Sequence, residues 1–386
     1  MNSRAIALWL HRYLGLALLF FVFSAGLTGS LLVFRHELDY ALNADAVRVS
    51  AGARRLAIGA MVNALASQRP GARVERFVIG KTPDQAWLFT LAGGDGAKAV
   101  NELWVNPYTG AIQGERTAGE IGLDRRHLMT TIWTWHSSLF IGTPGKTALG
   151  AISVLWLISS LIGIYLALQR GQGLLAALRI KRKASTFRTI YDSHRAAGLA
   201  SILVLFVSLF TAANLALPDL SRYLVSIVSA TNNPMPQALP DRPGHGMQLG
   251  FDEALAIAGE VMPGATPTGL VSYPRKGVYL VRFRTADDIA STHGTGRVIL
   301  DTSDGLVLHS ETFRRTGAAG NAFLTWMFPL HSGQAFGMPG RVLILSIGLV
   351  PVFLALSGFW IWRQKRRNQL ARADRAVGAP PQARPG

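Results

Sequence analysis

Four histidines in this chain come in two matched pairs. "IWTWHSSLFIGTPGK" (132–146) lies over "WMFPLHSGQAFGMPGR" (326–341) at a constant offset of 195, which sets His136 on His331, Gly142 on Gly337, Pro144 on Pro339, Gly145 on Gly340 and Lys146 on Arg341. "LHRYLGLALLFFVF" (10–23) lies over "SHRAAGLASILVLF" (193–206) at an offset of 183, which sets His11 on His194, Arg12 on Arg195 and Gly15 on Gly198. Each histidine borders a long apolar run, where an imidazole is costly unless it is paired or holds a ligand. Two neutral imidazoles facing each other in a helical bundle suit a b-type haem, whose iron takes two axial nitrogens and whose macrocycle prefers a dry interior. Gly15 and Gly198 follow their histidines by four residues, on the same helix face, and a missing side chain there leaves room for a flat ring. Arg12, Arg195, Lys146 and Arg341 are placed to pair with propionates near the two membrane surfaces. The reading is two haem b groups per chain, His11 with His194 in one leaflet and His136 with His331 in the other, stacked as an electron path.

Other readings stay open at this level. His36, in "FRHELD", lies just past the first apolar run, and His127 lies nine residues before His136. Either is an alternative ligand in the outer pair. A lone His-Arg at a membrane boundary is ordinarily an interfacial anchor; duplication is what sets these apart. Trp133, Trp135 and Trp326 suit an interfacial belt, and also the floor of an external pocket or an electron hop. "GTPGK" and "GMPGR" break the chain between an interfacial helix and a span, and no Gly-Lys-Ser/Thr makes them phosphate loops. The chain has no cysteine, which excludes disulfides, cysteine-ligated clusters and covalently attached haem. A bare zinc or copper ion would want more ligands in each layer.

The elements that must position these histidines are membrane spans. Of 386 residues, 49% are hydrophobic and 16% charged, with a net charge of +17. Four apolar runs reach the length of about 20 residues that a bilayer demands, at 13–34, 147–168, 196–217 and 342–362. None carries a break in mid-span. The first is too long for a signal peptide and no small-residue cleavage site follows it, so it reads as a retained anchor. Twenty of the 39 basic residues and 20 of the 22 acidic ones fall in two segments, 36–135 and 215–330. Most of the other 19 basic residues lie in "QRGQGLLAALRIKRKASTFR" and "WRQKRRNQLARADR" beside the spans. Positive segments stay inside, so the termini and the loop between spans two and three are expected in the cytoplasm. The basic runs serve topology and contact with anionic membrane lipid, not nucleic acid.

The repeat continues between the spans. At the 195 offset "ELWVNPYTGAIQGE" lies over "GRVILDTSDGLVLHSE", with Val105 on Leu300, Asn106 on Asp301 and Gly110 on Gly305. Both predict a strand, a turn and a strand. Helical stretches precede each, at 54–68 and 250–262, and strand patterns follow, "VERFVIG" and "AWLFTLA" in one copy, "TGLVSY" and "GVYLVRFR" in the other. Both halves start on the same side, so the repeat is parallel, its axis along the membrane normal. A four-transmembrane-helix bundle with α+β segments outside follows.

"LHRYLGL", "LLVFRHELD", "LWVNPYTGAIQGE", "WHSSLFIG", "LHSGQAFGMPGR" and "LSGFWIWR" together resemble the PepSY-associated transmembrane proteins, over about residues 5–367, and most of all their ferric-siderophore reductase branch. The resemblance implies an integral membrane α+β protein: span one in 1–35, a PepSY-like periplasmic domain in 36–130, an interfacial segment and span two in 131–170, a basic cytoplasmic loop in 171–193, span three in 194–217, a second PepSY-like domain in 218–325, an interfacial segment and span four in 326–363, and a basic tail with a disordered end in 364–386. "LDTSDGLVLHSE" lacks the Pro-Tyr-Thr-Gly of the first copy. The implied activity is haem-dependent reduction of an iron(III)–siderophore in the periplasm of a bacterial inner membrane. Its electrons would come from quinol or a cytoplasmic reductase. A membrane-anchored PepSY interaction protein without enzymatic activity and a transporter of siderophore or iron are the alternatives.

Overall fold

The computed structural model describes residues 2–92, 101–168, 173–181, 183–231, 236, 239–242, 248–286, 288–289, 294–312 and 317–377; the tail end expected to be disordered lies outside them from residue 378 onward. Along the chain run α1 (Ser3–Ala17), α2 (Leu19–Leu32), α3 (Arg35–Leu42), α4 (Ala44–Val47), α5 (Ile58–Gln68), β1 (Val74–Val78), β2 (Trp87–Leu91), β3 (Asn101–Val105) and β4 (Ile112–Thr117). Then come α6 (Leu128–Ser138), α7 (Thr143–Ala167), α8 (Leu174–Leu178), α9 (Thr186–Ala216), α10 (Pro218–Ser226) and α11 (Phe251–Val261). The chain closes with β5 (Thr266–Tyr273), β6 (Val278–Arg284), β7 (Gly296–Asp301), β8 (Val307–Glu311), α12 (Ala319–Ser332) and α13 (Gly337–Val377). It divides into two compact units: Met1–Val33, His136–Leu217 and Val342–Gly386 form one, Phe34–Trp135 and Pro218–Arg341 the other.

The first unit is helical. α7, α9 and the stretch Gln334–Arg372 are each long and apolar enough to cross a membrane, and α1 with α2 passes the same test as a pair bent by 61°. The expectation of an unbroken first span is therefore corrected. No proline causes the bend. Leu18 takes φ −88° and ψ −3° between the two helices, at the shallow edge of the right-handed helical region, and its side chain is buried with Val22 and Ala355. A second correction concerns the third span. α9 starts at Thr186, capped by Ser185, whose Oγ accepts from the Arg188 N–H; capping stops the helix fraying there. His194 thus lies inside a helix already two turns long. α7 lies along both α9 and α1. α2 and α13 approach through small residues: Ser30 Oγ donates to Leu345 O at 3.0 Å, and a Cβ on Gly26 would stand 2.6 Å from Gly348 O. Close backbone approach of this kind holds helices together where no hydrophobic drive exists between them. α13 continues to Val377, so the basic segment after 363 is helical that far.

The second unit is built on one antiparallel sheet in the order β4-β3-β2-β1-β5-β6-β7-β8. Strands from both hydrophilic segments share it, joined where Arg76, Phe77 and Val78 pair with Val271, Leu270 and Gly269. The alternation of apolar and polar residues sends Phe77, Phe89, Leu103, Leu270, Val281, Phe283 and Leu300 to one face, where they are buried with Met61, Leu65, Ala254 and Ala258 of α5 and α11. Each such side chain contributes about 2 kcal/mol. The two turns of the repeat are built alike. Asn106 Oδ1 accepts from Tyr108 N–H and Asp301 Oδ1 from Ser303 N–H, both at 2.9 Å. Gly110 and Gly305 take φ of 73° and 74°, which favours glycine.

The Gly-x-Pro-Gly motifs have an equally local cause. Gly142 and Gly337 take φ of 65° and 60° as α7 and α13 begin. A Cβ on Gly145 would collide with Ser138 O, and one on Gly340 with Gly333 O. Each new helix starts against the carbonyl end of the preceding one, and only glycine fits.

Candidate functional site

His11 of α1 and His194 of α9 come together, as the pairing of their motifs anticipates. Their ring centres are 6.5 Å apart and the planes stand at 75°. Two axial imidazoles around one metal need bonds of about 2 Å on each side and roughly 1 Å more from each nitrogen to its ring centre, a sum of roughly 6 Å.

The outward-facing chemistry of each ring is fixed by its other nitrogen. His11 Nδ1 lies 2.9 Å from Ser159 O; a carbonyl only accepts, so Nδ1 carries the proton. His194 Nδ1 lies 2.8 Å from Ser357 Oγ, whose own proton goes to Phe353 O at 2.7 Å, so here too Nδ1–H donates. In both rings the lone pair is left on Nε2, the form that binds a metal.

Glycines complete the cradle. A Cβ on Gly163 would stand 3.0 Å from His11 Cε1, and one on Gly358 would stand 3.3 Å from His194 Cε1. Each imidazole edge therefore rests on a repeat-matched glycine of the facing helix. Gly15 and Gly198, expected to leave room for a flat ring, are half-buried. A Cβ on Gly15 would meet nothing within 4 Å, and one on Gly198 only Leu354 at 3.9 Å. Among the described residues no three His, Cys, Asp or Glu side chains gather at one point. Two imidazoles with no third protein ligand fit a cofactor that brings its own equatorial donors, and so the donor set fits haem.

His136 repeats the pattern. Its Nδ1 lies 2.8 Å from Thr28 Oγ1, whose proton goes to Ser24 O at 2.7 Å, so Nε2 again holds the lone pair. A Cβ on Gly29 would stand 3.1 Å from its Cε1. His331 closes the last turn of α12 and belongs to the other unit.

The remaining candidates lie in other surroundings. His36, in α3, is held neutral: burial first, then Arg35 and Lys81, lower its pKa from 6.5 to about 4. His127 donates from Nδ1 to Asp124 at 2.8 Å, and its buried Nε2, 3.9 Å from Glu120, makes no hydrogen bond among the described residues. Arg195 donates to Ala177 O at 2.8 Å and Arg179 O at 3.0 Å and pairs with buried Asp192 at 3.3 Å, so it clasps the chain around α8. Arg341 pairs with Glu37 at 2.7 Å and stacks on Phe34 at 4.3 Å. Arg12 is half-buried and Lys146 exposed.

Sequence reasoning missed Ser159, Ser357, Thr28 and Gly29. One signal was available. The 183 offset carries on to set Thr28 on Thr211, and Thr211 likewise donates to the carbonyl four residues back, Val207 O, at 2.7 Å.

The sequence profile of the family described as the PepSY-associated TM region matches residues 8–365, and the chain belongs to that family. No curated protein matches it. It is a membrane protein of the PepSY-TM type, with a mixed architecture of apolar spanning helices and an antiparallel sheet.

Proposed function

We propose that this chain is an inner-membrane haem b oxidoreductase that passes electrons across the bilayer and reduces an iron(III)–siderophore in the periplasm, releasing iron(II). The observation that carries the reading is the His11–His194 pair, 6.5 Å apart, with both Nδ1 protons committed to α7 and α13. An anchor or a protein-binding module has no use for two preset ligand nitrogens. When bound, the haem supplies reversible one-electron transfer. The chain's own part is to hold Nε2 of each histidine bare and aimed, and to keep the ring edges seated on Gly163 and Gly358. For the outer layer the proposal rests on the sequence repeat, which supplies His136 and His331. A four-helix bundle of two parallel repeats is part of the proposal, supported by the matched glycines of α7 and α13 and the matched turns of the sheet. One electron added to iron(III) produces iron(II), for which hard oxygen donors have far less affinity, so the substrate chelate opens. The donor, quinol or a cytoplasmic reductase, delivers that electron from the inner side.

The test is an absorption spectrum of the purified protein, oxidised and dithionite-reduced, with haem counted per chain. About two haems per chain are expected, with His11→Ala and His194→Ala each losing the inner one. A colourless protein expressed with haem in supply overturns the reading. The 61° bend between α1 and α2 then favours transport, since broken spans line substrate paths.

A further inference from the structure

The sheet face turned away from α5 and α11 holds a cation with no hydrogen-bond or ion-pair partner among the described residues. Glu311, Arg297, Arg282 and Gly269 stand side by side across β8, β7, β6 and β5. Gly269 is also opposite Val78 of β1, and Arg76 stands one row along, opposite Val271. Gly269 interrupts the row of side chains, leaving a shallow notch between Val78 and Arg282 floored by backbone, where a Cβ would collide with Phe77 O. Arg297 is paired with Glu311. Arg76 is paired with Glu102 at 3.0 Å, and Glu102 is shared with Arg116 at 2.7 Å. Arg282 is half-buried and makes no hydrogen bond or ion pair among the described residues. Burial first, then Arg297 and Arg76, hold its pKa below the usual arginine value, against Tyr273, which raises it. Arg35, beside Arg76 and Arg116, is also lowered, burial first, against the opposing pull of Asp39 and Glu102.

An arginine drawn out of water without a counter-ion costs free energy, and two more guanidinium groups nearby raise that cost. A bound anion would remove the cost. The planar fork of arginine matches paired oxygens such as those of carboxylate or catecholate.

We propose that this notch is an anion site, centred on Arg282 and flanked by Arg76 and Arg297, which takes ferric chelates carrying net negative charge, built on carboxylate or catecholate donors, in preference to neutral hydroxamate chelates. The identity of the ligand as a ferric chelate rests on the reductase reading; the site itself does not.

Gallium(III) stands in for iron(III) but is not reduced, so binding can be measured apart from electron transfer. The full-length protein in detergent is titrated with anionic gallium(III) tris(catecholate) and with neutral gallium(III) tris(acetohydroxamate). The anionic probe is expected to bind about tenfold more tightly, and less tightly as salt is raised. Arg282→Gln is expected to remove that advantage, Arg282→Lys to keep part of it, and neither to change the neutral probe. Arg76→Gln, which leaves Glu102 paired with Arg116, is expected to weaken the anionic probe without unfolding the sheet. Equal binding of the two probes, or an unchanged affinity in Arg282→Gln, overturns the site. Displacement of the probe by phosphatidylglycerol also overturns it, and makes the notch a lipid-headgroup site. A colourless protein that still binds the anionic probe through Arg282 overturns the reductase reading alone. A haem protein that reduces an anionic ferric chelate equally well with Arg282→Gln overturns the notch alone.

Discussion

Three histidines on three helices share one device: Nδ1–H is given away, the ring edge rests on a glycine, and Nε2 is left with its lone pair. The sequence makes the histidines legible because the repeat sets them in register. It hides the acceptors, because a serine hydroxyl or a carbonyl on another helix becomes a partner only when the helices are side by side. The acceptor is open to test. On the proposed haem reading, Ser357→Ala removes the group that fixes the His194 tautomer, and losing such a hydrogen-bond partner weakens metal retention about tenfold or more. Haem transfer to apomyoglobin is expected to speed up accordingly, with helix content unchanged by circular dichroism. His36 gives a pH prediction. Its pKa falls from 6.5 to about 4 on folding, so the unfolded chain binds the proton more readily. Stability is full above pH 6.5 and is lost as the pH falls toward 4. His36→Gln is expected to flatten that part of the acid melting curve, a contribution of about 3 kcal/mol.

The spans and strands were legible as elements, since apolar runs and alternation reflect the solvent each face meets. Their interruptions were not. The bend at Leu18 has no proline or charge to announce it and follows from the packing of Leu18 and Val22 on Ala355. The glycine turns were half legible: the motif marked a break, and the structure supplies the reason for its second glycine. Gly340→Ala would drive a methyl into Gly333 O, backbone that has nowhere to go. A cost of about 3 kcal/mol or more is expected, visible as a lower thermal midpoint. Gly259→Ala is the control. Its Cβ meets nothing within 4 Å inside α11, so about 0.5–1 kcal/mol of stabilisation is expected.

At the scale of the molecule, the two hydrophilic segments are one structure. The repeat located their strands but could not show that β1 and β5 pair, because both halves carry the same internal pattern and neither records what its edge meets. A side chain also crosses between them. Asp252 of α11 accepts from the Ile58 and Gly59 N–H groups at 2.7 and 2.8 Å and so caps α5, whose own Ala57 offers no side-chain acceptor. Asp252→Ala is expected to cost about 1–2 kcal/mol, and limited proteolysis should then cut near α5 first. The seam between β1 and β5 has a further consequence for how the chain is made. Arg76 pairs with Val271, so the ribosome must add 195 residues, α7 and α9 among them, before the partner strand exists. Until then a half-finished chain displays β1 as a bare edge, the template on which strands from other molecules pair. A nascent chain halted after α10 should be captured there by a second half-made copy, two first halves imitating the finished sheet. Slow synthesis beyond α10, rather than any weakness of the completed fold, is where this protein is most exposed to aggregation.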